Sequence, residues 1–530
     1  MSAAQPRESD HSRRVAGAVA AVAGATLLSR LLGFLRDVII AFALGAGPAA
    51  DAFFVAFRLP NLMRRLFGEG SLTLAFVPVF AQIKNREGPE AAAKMARSAL
   101  AWLALLLGLV CVLAELFAEP LTLLIAPGFG RDPVLLEQTA QLVRICFPYA
   151  LLICGVALCM GVLNSHEHFL APALSPCLMN LTLIVCGLAA WAVGGRAELY
   201  LAWGVLASGF LQWASQQPAL RSVGFSWRGS WTWMDSGVKR LARLMPPAVA
   251  GAAVYQVNVL LVTMLASLLA QGSVSYLYYA DRLVQFPLGV FGVAIGVAAL
   301  PSMANLAASG REGEYGEVLR DALGLTLCVS LPATAGLIAL SEPIVAALFR
   351  RGSFDAHAVT ATASALDGFC VGLPAFAVAR PLVSAFYARQ DTRTPLRAAA
   401  LSVGGNIVLA LALTPFLQHV GLALAASLAS WINVGLLLRA LGRTQAPAAA
   451  AVKSALPATA RMLALSALCG LLAWASWRFA PRGMGKASLL LIPLWIFLYL
   501  YAAKRWTPRE ASLLLDGLLQ RLRRSPEAEK

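Results

Sequence analysis

Charge is what this 530-residue chain has least of. Charged side chains make up 13% of it, about half the ~25% of an ordinary globular domain, while 59% of its residues are hydrophobic. No water-soluble core needs that much apolar surface, so a soluble fold is excluded and a polytopic membrane protein is indicated. Signatures of catalysis are missing too. There is no GxxxxGK[ST] loop, since GMGKAS near 483 lacks the spacing, and there is no HExxH or GxSxG. The nine cysteines all lie in apolar runs with no CxxC spacing, which excludes a zinc cluster and reads as small buried hydrophobes. The five histidines are scattered: His11 in the N-terminal tail, His166 and His168 in a short loop, His357 and His419 near helix ends. They form no metal set. An enzyme, a metal and a cofactor are therefore not expected, and any work must draw on membrane potential, a monovalent cation gradient or consumption of product.

What is present is a series of apolar runs of about 20 residues, each long enough to cross a bilayer as a helix. Fourteen are expected: 18–44, 49–83, 92–118, 134–162, 168–193, 198–219, 237–269, 273–306, 316–340, 357–388, 395–417, 421–442, 456–479 and 485–503. Pro60 and Gly68 predict a bend in the second. Arg13 and Arg14 before the first apolar run imitate a signal peptide, but no cleavage site follows and a retained helix is expected. Of 43 Lys and Arg, 28 fall on the N-terminal side of the membrane, seven on the opposite side and eight within spans. The bias predicts cytoplasmic termini. The net charge of +16 thus lies between spans and not on one soluble face, so nucleic acid is not an expected partner.

An internal repeat recurs at an offset of 223–226 residues. Ala56-Phe57-Arg58-Leu59 matches Ala280-Asp281-Arg282-Leu283, Pro78 matches Pro301, and Gly128-Phe129 corresponds to Gly352-Ser353-Phe354. Pro148 matches Pro374, and Pro172 matches Pro395. A six-helix unit repeated in parallel predicts two lobes related by a pseudo-two-fold along the membrane normal, an arrangement used for alternating access. The expected organisation is an all-α membrane protein. A cytoplasmic tail (1–17) precedes an N-lobe (18–219), a cytoplasmic linker (220–236) and a C-lobe (237–442). Two extra helices follow (443–503), then a basic amphipathic tail (504–530) on the inner surface.

Five arginines interrupt the first two spans: Arg30, Arg36, Arg58, Arg64 and Arg65, with only Asp37, Asp51 and Glu69 nearby. A guanidinium at mid-bilayer costs roughly 2.5–3.5 kcal/mol, so it faces a partner or a cavity. Arg30 and Asp37 share a helix face, beside a stripe of Ser29, Gly33 and Arg36, and Asp51, Arg58 and Arg65 recur at seven-residue steps. The repeat puts Arg282, flanked by Asp281, at the place of Arg58. A central cationic cavity is expected, in which Arg30, Arg36 and Arg282 bind a diphosphate through planar guanidinium forks. For Arg64 and Arg65 the alternative is snorkelling to the interface, and for Arg58 an ion pair with Asp51. Gln256, Asn258, Asn406 and Asn433 are polar groups in mid-span that join helices by hydrogen bonds or coordinate an ion.

At SRLLGFLRD (29–37), ADAFFVAFRLPNLMRRLFGEG (50–70), SYLYYADRLVQFPLGV (275–290) and FYARQDTRTP (386–395) the chain resembles the MurJ/MviN family. These are bacterial lipid II flippases of the multidrug/oligosaccharidyl-lipid/polysaccharide exporter superfamily. The resemblance, which covers nearly the whole chain, implies a multi-pass protein of the cytoplasmic membrane. It would carry undecaprenyl-diphosphate-MurNAc-pentapeptide-GlcNAc from the inner to the outer leaflet for peptidoglycan synthesis, with membrane lipids and cell-wall synthesis machinery as partners. It also implies functional roles for Ser29, Arg30, Arg36, Asp37, Asp51, Asn61, Arg64, Arg65, Glu69 and Arg282, and a groove for the lipid tail at the last two helices. Two positions depart from the family. Gln285 stands where some members carry Glu, and no acid lies between Pro395 and Leu417, where some members bind sodium. Rival readings are a flippase for another undecaprenyl-diphosphate-linked sugar, a cation-coupled drug exporter and a non-transporting scaffold.

Overall fold

The computed structural model describes residues 8–66, 72–233, 235–289, 293–479 and 489–513. Among the described residues every regular element is a helix. In chain order these are α1 (Glu8–Leu44), α2 (Pro48–Met63), α3 (Leu72–Glu87), α4 (Pro89–Leu116), α5 (Ala118–Ile125), a tight turn at Pro127–Arg131, α6 (Pro133–Cys146), α7 (Tyr149–Asn164), α8 (Leu170–Val193) and α9 (Ala197–Ser222). Then follow α10 (Ser236–Ser267), α11 (Ser273–Pro287), α12 (Val293–Ala308), α13 (Glu312–Ala339), α14 (Ser341–Phe349), α15 (Ala356–Cys370), α16 (Leu373–Ala388), α17 (Arg393–Thr444), α18 (Ala446–Ser454), α19 (Leu456–Arg478) and α20 (Ile492–Trp506). Eight helical stretches among the described residues are long and apolar enough to cross a bilayer.

The repeat reappears as element order. α4 and α13 both have 28 residues and α7 and α16 both have 16, their starts 223 and 224 residues apart. α2 ends at Met63 in a widened turn, and α11 ends at Pro287 in another. A widened turn thus follows Pro60, where a bend in the second span was expected, whereas Gly68 lies outside the described residues. The two spans expected at 395–417 and 421–442 meet at Gln418, whose φ of 49° breaks α17 between them.

Large apolar side chains point outward along whole helix faces, with Leu105, Leu109 and Leu116 on α4 and Phe416 on α17 all exposed. In water such stripes would drive aggregation. Here they are the lipid-facing surface of a multi-pass membrane protein.

The chain forms two compact units. The first comprises Met1–Ser275 and the short segment Arg351–Phe354. One of its cores joins α3, α4, α7 and the start of α10 around Phe76, Phe80, Met95 and Leu241. The connection after α9 is not a loose tether. Arg97 of α4, buried, donates to the carbonyls of Ser226, Arg228 and Ser230 and pairs with Glu90. Nearby, the Trp102 ring donates to the Trp233 carbonyl at 2.7 Å.

The second unit comprises Tyr276–Arg350 and Asp355–Lys530. Tyr315, Leu319, Phe386 and Leu437 centre its core. α19 and α20 pack on α13 through Cys328, Met462, Leu465 and Tyr499. Gly470 permits a close approach: a β-carbon there would sit 3.0 Å from that of Ala335. The start of the C-terminal tail docks on protein, since Ala511 is fully buried and Arg509 forks onto Asp321 at 2.9 Å through two nitrogens.

Candidate functional site

The first unit holds a cleft of about 610 Å³ lined by α1, α7, α8 and the end of α2. Its polar wall is built from Ser29, Arg30 and Arg36 on α1, Arg64 just after α2, and Asn164 and Asn180. α1 and α8 can approach because Gly33 faces α8. A β-carbon at Gly33 would already touch the Asn180 amide at 3.4 Å. Pro176 lies one turn before Asn180 and lacks an N–H, so the Pro172 carbonyl has no intrahelical partner, which adds polarity to a wall lined by both prolines.

The arginines of this wall differ in state. Arg36 is buried, and both its Nε (3.0 Å) and Nη2 (2.7 Å) donate to Asp37 Oδ1. Its Nη1 donates to Asn180 Oδ1 at 3.0 Å. The same amide donates from Nδ2 to the Ser29 carbonyl at 2.9 Å, so Asn180 ties the Arg36 fork to the α1 backbone. Arg36 is therefore neutralised by its neighbour. The sequence reading gave Asp37 a shared face with Arg30, seven residues away, but the long Arg36 side chain curls back to reach it. Arg30 is exposed on the cleft wall and makes no ion pair with any described residue. Arg64 donates through Nε and Nη2 to Asn61 Oδ1, at 3.1 and 2.9 Å. The cleft thus presents guanidinium from Arg30 and Arg64, while that of Arg36 is engaged by Asp37 and Asn180.

Asp51, also buried, is not paired with Arg58. Its carboxylate accepts from Gly272 N (2.6 Å), Ser275 N (2.8 Å) and Ser275 Oγ (2.7 Å), capping the start of α11. An acidic group there satisfies first-turn N–H donors and complements the helix dipole. Arg58 and Arg65 lie with Asn61 and Gln256 around a second, very small cavity of about 10 Å³ between α2 and α10. Glu69 lies outside the described residues.

In the second unit, Arg282 sits over the Tyr278 ring, 4.8 Å from its centroid. Its Nη1 reaches Gln285 Oε1 at 3.5 Å, the outer limit of a hydrogen bond, and Gln285 Nε2 donates to Asp281. Gln285 therefore bridges acid and guanidinium, in a role that a carboxylate would perform differently.

Sequence reasoning missed Asn180 and Ser275. An amide in the apolar run LAPALSPCLMNLTLIV was a legible signal for the first. Nothing local marked Ser275, whose partner is 224 residues away.

The family model for lipid II flippase MurJ matches residues 40–493. A protein of Rhizobium meliloti (strain 1021) named "Probable lipid II flippase MurJ" is 40% identical over 427 residues, covering 80% of this chain and 79% of its own length. The lipid II flippase MurJ of Burkholderia cenocepacia is 34% identical over 507 residues, or 92% of this chain and 96% of that one. A solved structure described as lipid II flippase MurJ in an inward closed conformation shares the fold, with a TM-score of 0.78 at 24% identity over 91% of this chain and 98% of that one. An interrupted arginine-bearing first helical pair and a match of this length to both family and fold lead to one conclusion: the chain belongs to the MurJ family of lipid II flippases.

Proposed function

We propose that this protein moves lipid II from the inner to the outer leaflet of the cytoplasmic membrane by alternating access, for peptidoglycan synthesis. One observation carries the reading: a cleft of about 610 Å³ presents Arg30 without a carboxylate partner among the described residues. A cation held in such a place favours an anionic cargo, and a guanidinium fork suits a diphosphate. Arg36 is the second phosphate ligand, released when cargo draws it from Asp37, and Arg282 completes the set from the C-terminal repeat. Cargo binding then shifts the balance between two states because it supplies in one of them the anion that Asp37 supplies in the other. Asn61, Arg64, Arg65, Arg58, Asp281 and Gln285 shape the cavity, and Glu69 belongs with them by position in the sequence.

Fourteen spans with both termini in the cytoplasm fit the lysine and arginine distribution. The polyprenyl tail lies along the helices after residue 443. Membrane lipids and the cell-wall synthesis machinery are its partners, and membrane potential or a monovalent cation supplies the drive. The cationic wall disfavours a drug exporter, whose cargo is cationic.

The test is the accessibility of lipid II at the outer face of cells depleted of this protein. Exposure should fall as the protein disappears. Continued exposure at the normal rate removes the reading, and loss of a different lipid-linked sugar instead redirects it to that cargo.

A further inference from the structure

The Gly128 and Gly352 repeat match has no part in the cleft, yet it marks two equivalent contacts within the first unit. At one, Gly128 lies against the Ser267 carbonyl at the last residue of α10, and a β-carbon on it would fall 2.7 Å from Leu268 N and closer still to Ser267. At the other, Gly352 lies against the Phe42 carbonyl in the last turn of α1. Gly45 opposes it, and a β-carbon there would come 2.9 Å from the Ser353 carbonyl carbon. Gly352 and Gly45 also have φ of 59° and 69°, which glycine adopts without strain.

Phe42 and Ser267 are 225 residues apart, so the two contacts are one contact repeated. Each brings the loop of one repeat copy onto the C-terminal end of the other copy's first helix. The last carbonyls of a helix have no partner inside it. Here the loops provide donors: Ser353 N to Phe42 O at 3.1 Å, Ser353 Oγ to Ala43 O at 3.3 Å, and Arg131 Nη1 to Leu268 O at 3.4 Å. Gly128 N adds a bond to Ser267 Oγ at 3.2 Å. These bonds are few and lie near the surface, so water can replace them when the contact parts. At Gly128 every obstructing atom is backbone, and at Gly352 the nearest is the Phe42 carbonyl oxygen with the Phe42 ring behind it, so no rotamer change alone admits a larger residue.

We propose that Gly128 and Gly352 are the paired latch that shuts the outer end of the transport path, and that closure depends on their lacking a β-carbon. This rests on the alternating-access reading above and adds where that path closes. In the outward-open state both loops leave the helix ends, and the freed carbonyls turn to water.

The test uses the full-length protein in cells, in a cysteine-free background that still supports growth, with Ser273→Cys as reporter. Ser273 is 1% exposed and its hydroxyl has no hydrogen-bond partner among the described residues. A membrane-impermeant maleimide added from outside should label the reporter roughly tenfold faster in Gly128→Ala and in Gly352→Ala than in the parent, the shift of a two-state balance by one modest steric penalty. Unchanged labelling in alanine variants that accumulate normally overturns the latch.

Should those variants fail to accumulate, a second arm keeps both glycines. Gln271 Nε2 lies 3.3 Å from Asp132 Oδ2 beside the Gly128 contact. Asp132→Cys with Gln271→Cys, bridged by a short reversible thiol reagent, should stop lipid II export until reduced. Export that persists through the bridge, in cells whose export depends on this protein, overturns the latch alone. Labelling requires no lipid II. Faster labelling in cells whose export does not depend on this protein would therefore sink the flippase reading and leave the latch standing.

Discussion

Replacing Asp37 with Asn should show how tightly the Arg36 fork is held before cargo arrives. The pair lies at 2.7 Å with side-chain exposures of 8% and 4%. At an effective dielectric of about 20 the attraction at that distance is ~6 kcal/mol before desolvation is subtracted. Removing one partner of such a pair typically costs about 3–5 kcal/mol, because a buried charge is left without its counter-ion. Asp37→Asn should therefore destabilise the purified protein by about that amount. Arg36→Gln should cost a comparable amount, and the double variant much less than the sum. The assay is a double-mutant cycle on denaturant-induced unfolding in a fixed detergent. The expected coupling is at least ~2 kcal/mol. Additive effects, within ~0.5 kcal/mol, would refute the claim that Arg36 is neutralised at home. A diphosphate lipid should restore part of the Asp37→Asn loss, since it offers the missing anion.

Two further outcomes follow from other parts of the fold. Asp51→Asn places an amide where two backbone N–H groups and a hydroxyl now donate, and should lower stability by about 2–4 kcal/mol in the same unfolding assay, as a lost charged cap with unsatisfied donors requires. No loss would mean that the carboxylate does not hold the start of α11. Asp391 precedes α17, outside the spanning segments, and bonds from Thr394 and Arg393 hold its carboxyl below the usual range. A depressed value adds stability above the ordinary carboxylate pKa of about 3.9, and that stability is lost as pH falls through the lowered value. The melting temperature of Asp391→Ala should therefore trail the parent by a constant amount from pH 7 to about 5, and the gap should close only in stronger acid. A gap that closes near neutrality would contradict the assignment.

Much of the architecture was legible because a bilayer demands long apolar runs and proline or glycine punctuates them. The widened turn after Met63 follows Pro60, and the repeat offset in short motifs reappears in the starts of α4 and α13. The Asp37 pairing was harder to read. Adjacent residues on a helix point apart, and only the reach of arginine lets Arg36 turn back to Asp37. Ser275 and the carbonyls that hold Arg97 were illegible for a different reason, and although the amide of Asn180 stood out in its apolar run, its partner did not. Each acts across more than 100 residues of chain, and single-sequence patterning does not register contacts of that range. The candidate residues were found, but which of them carry charge into the cleft required the geometry.

The most direct measurement is the outer-face exposure of lipid II in cells whose sole copy of this protein carries Arg30→Gln. The account expects exposure to fall to the level of depleted cells while the variant remains in the membrane at the parent's abundance, with Arg30→Lys intermediate because an ammonium lacks the planar fork. Normal export by Arg30→Gln at normal abundance would contradict the claim that an unmatched guanidinium in this cleft is what receives the diphosphate.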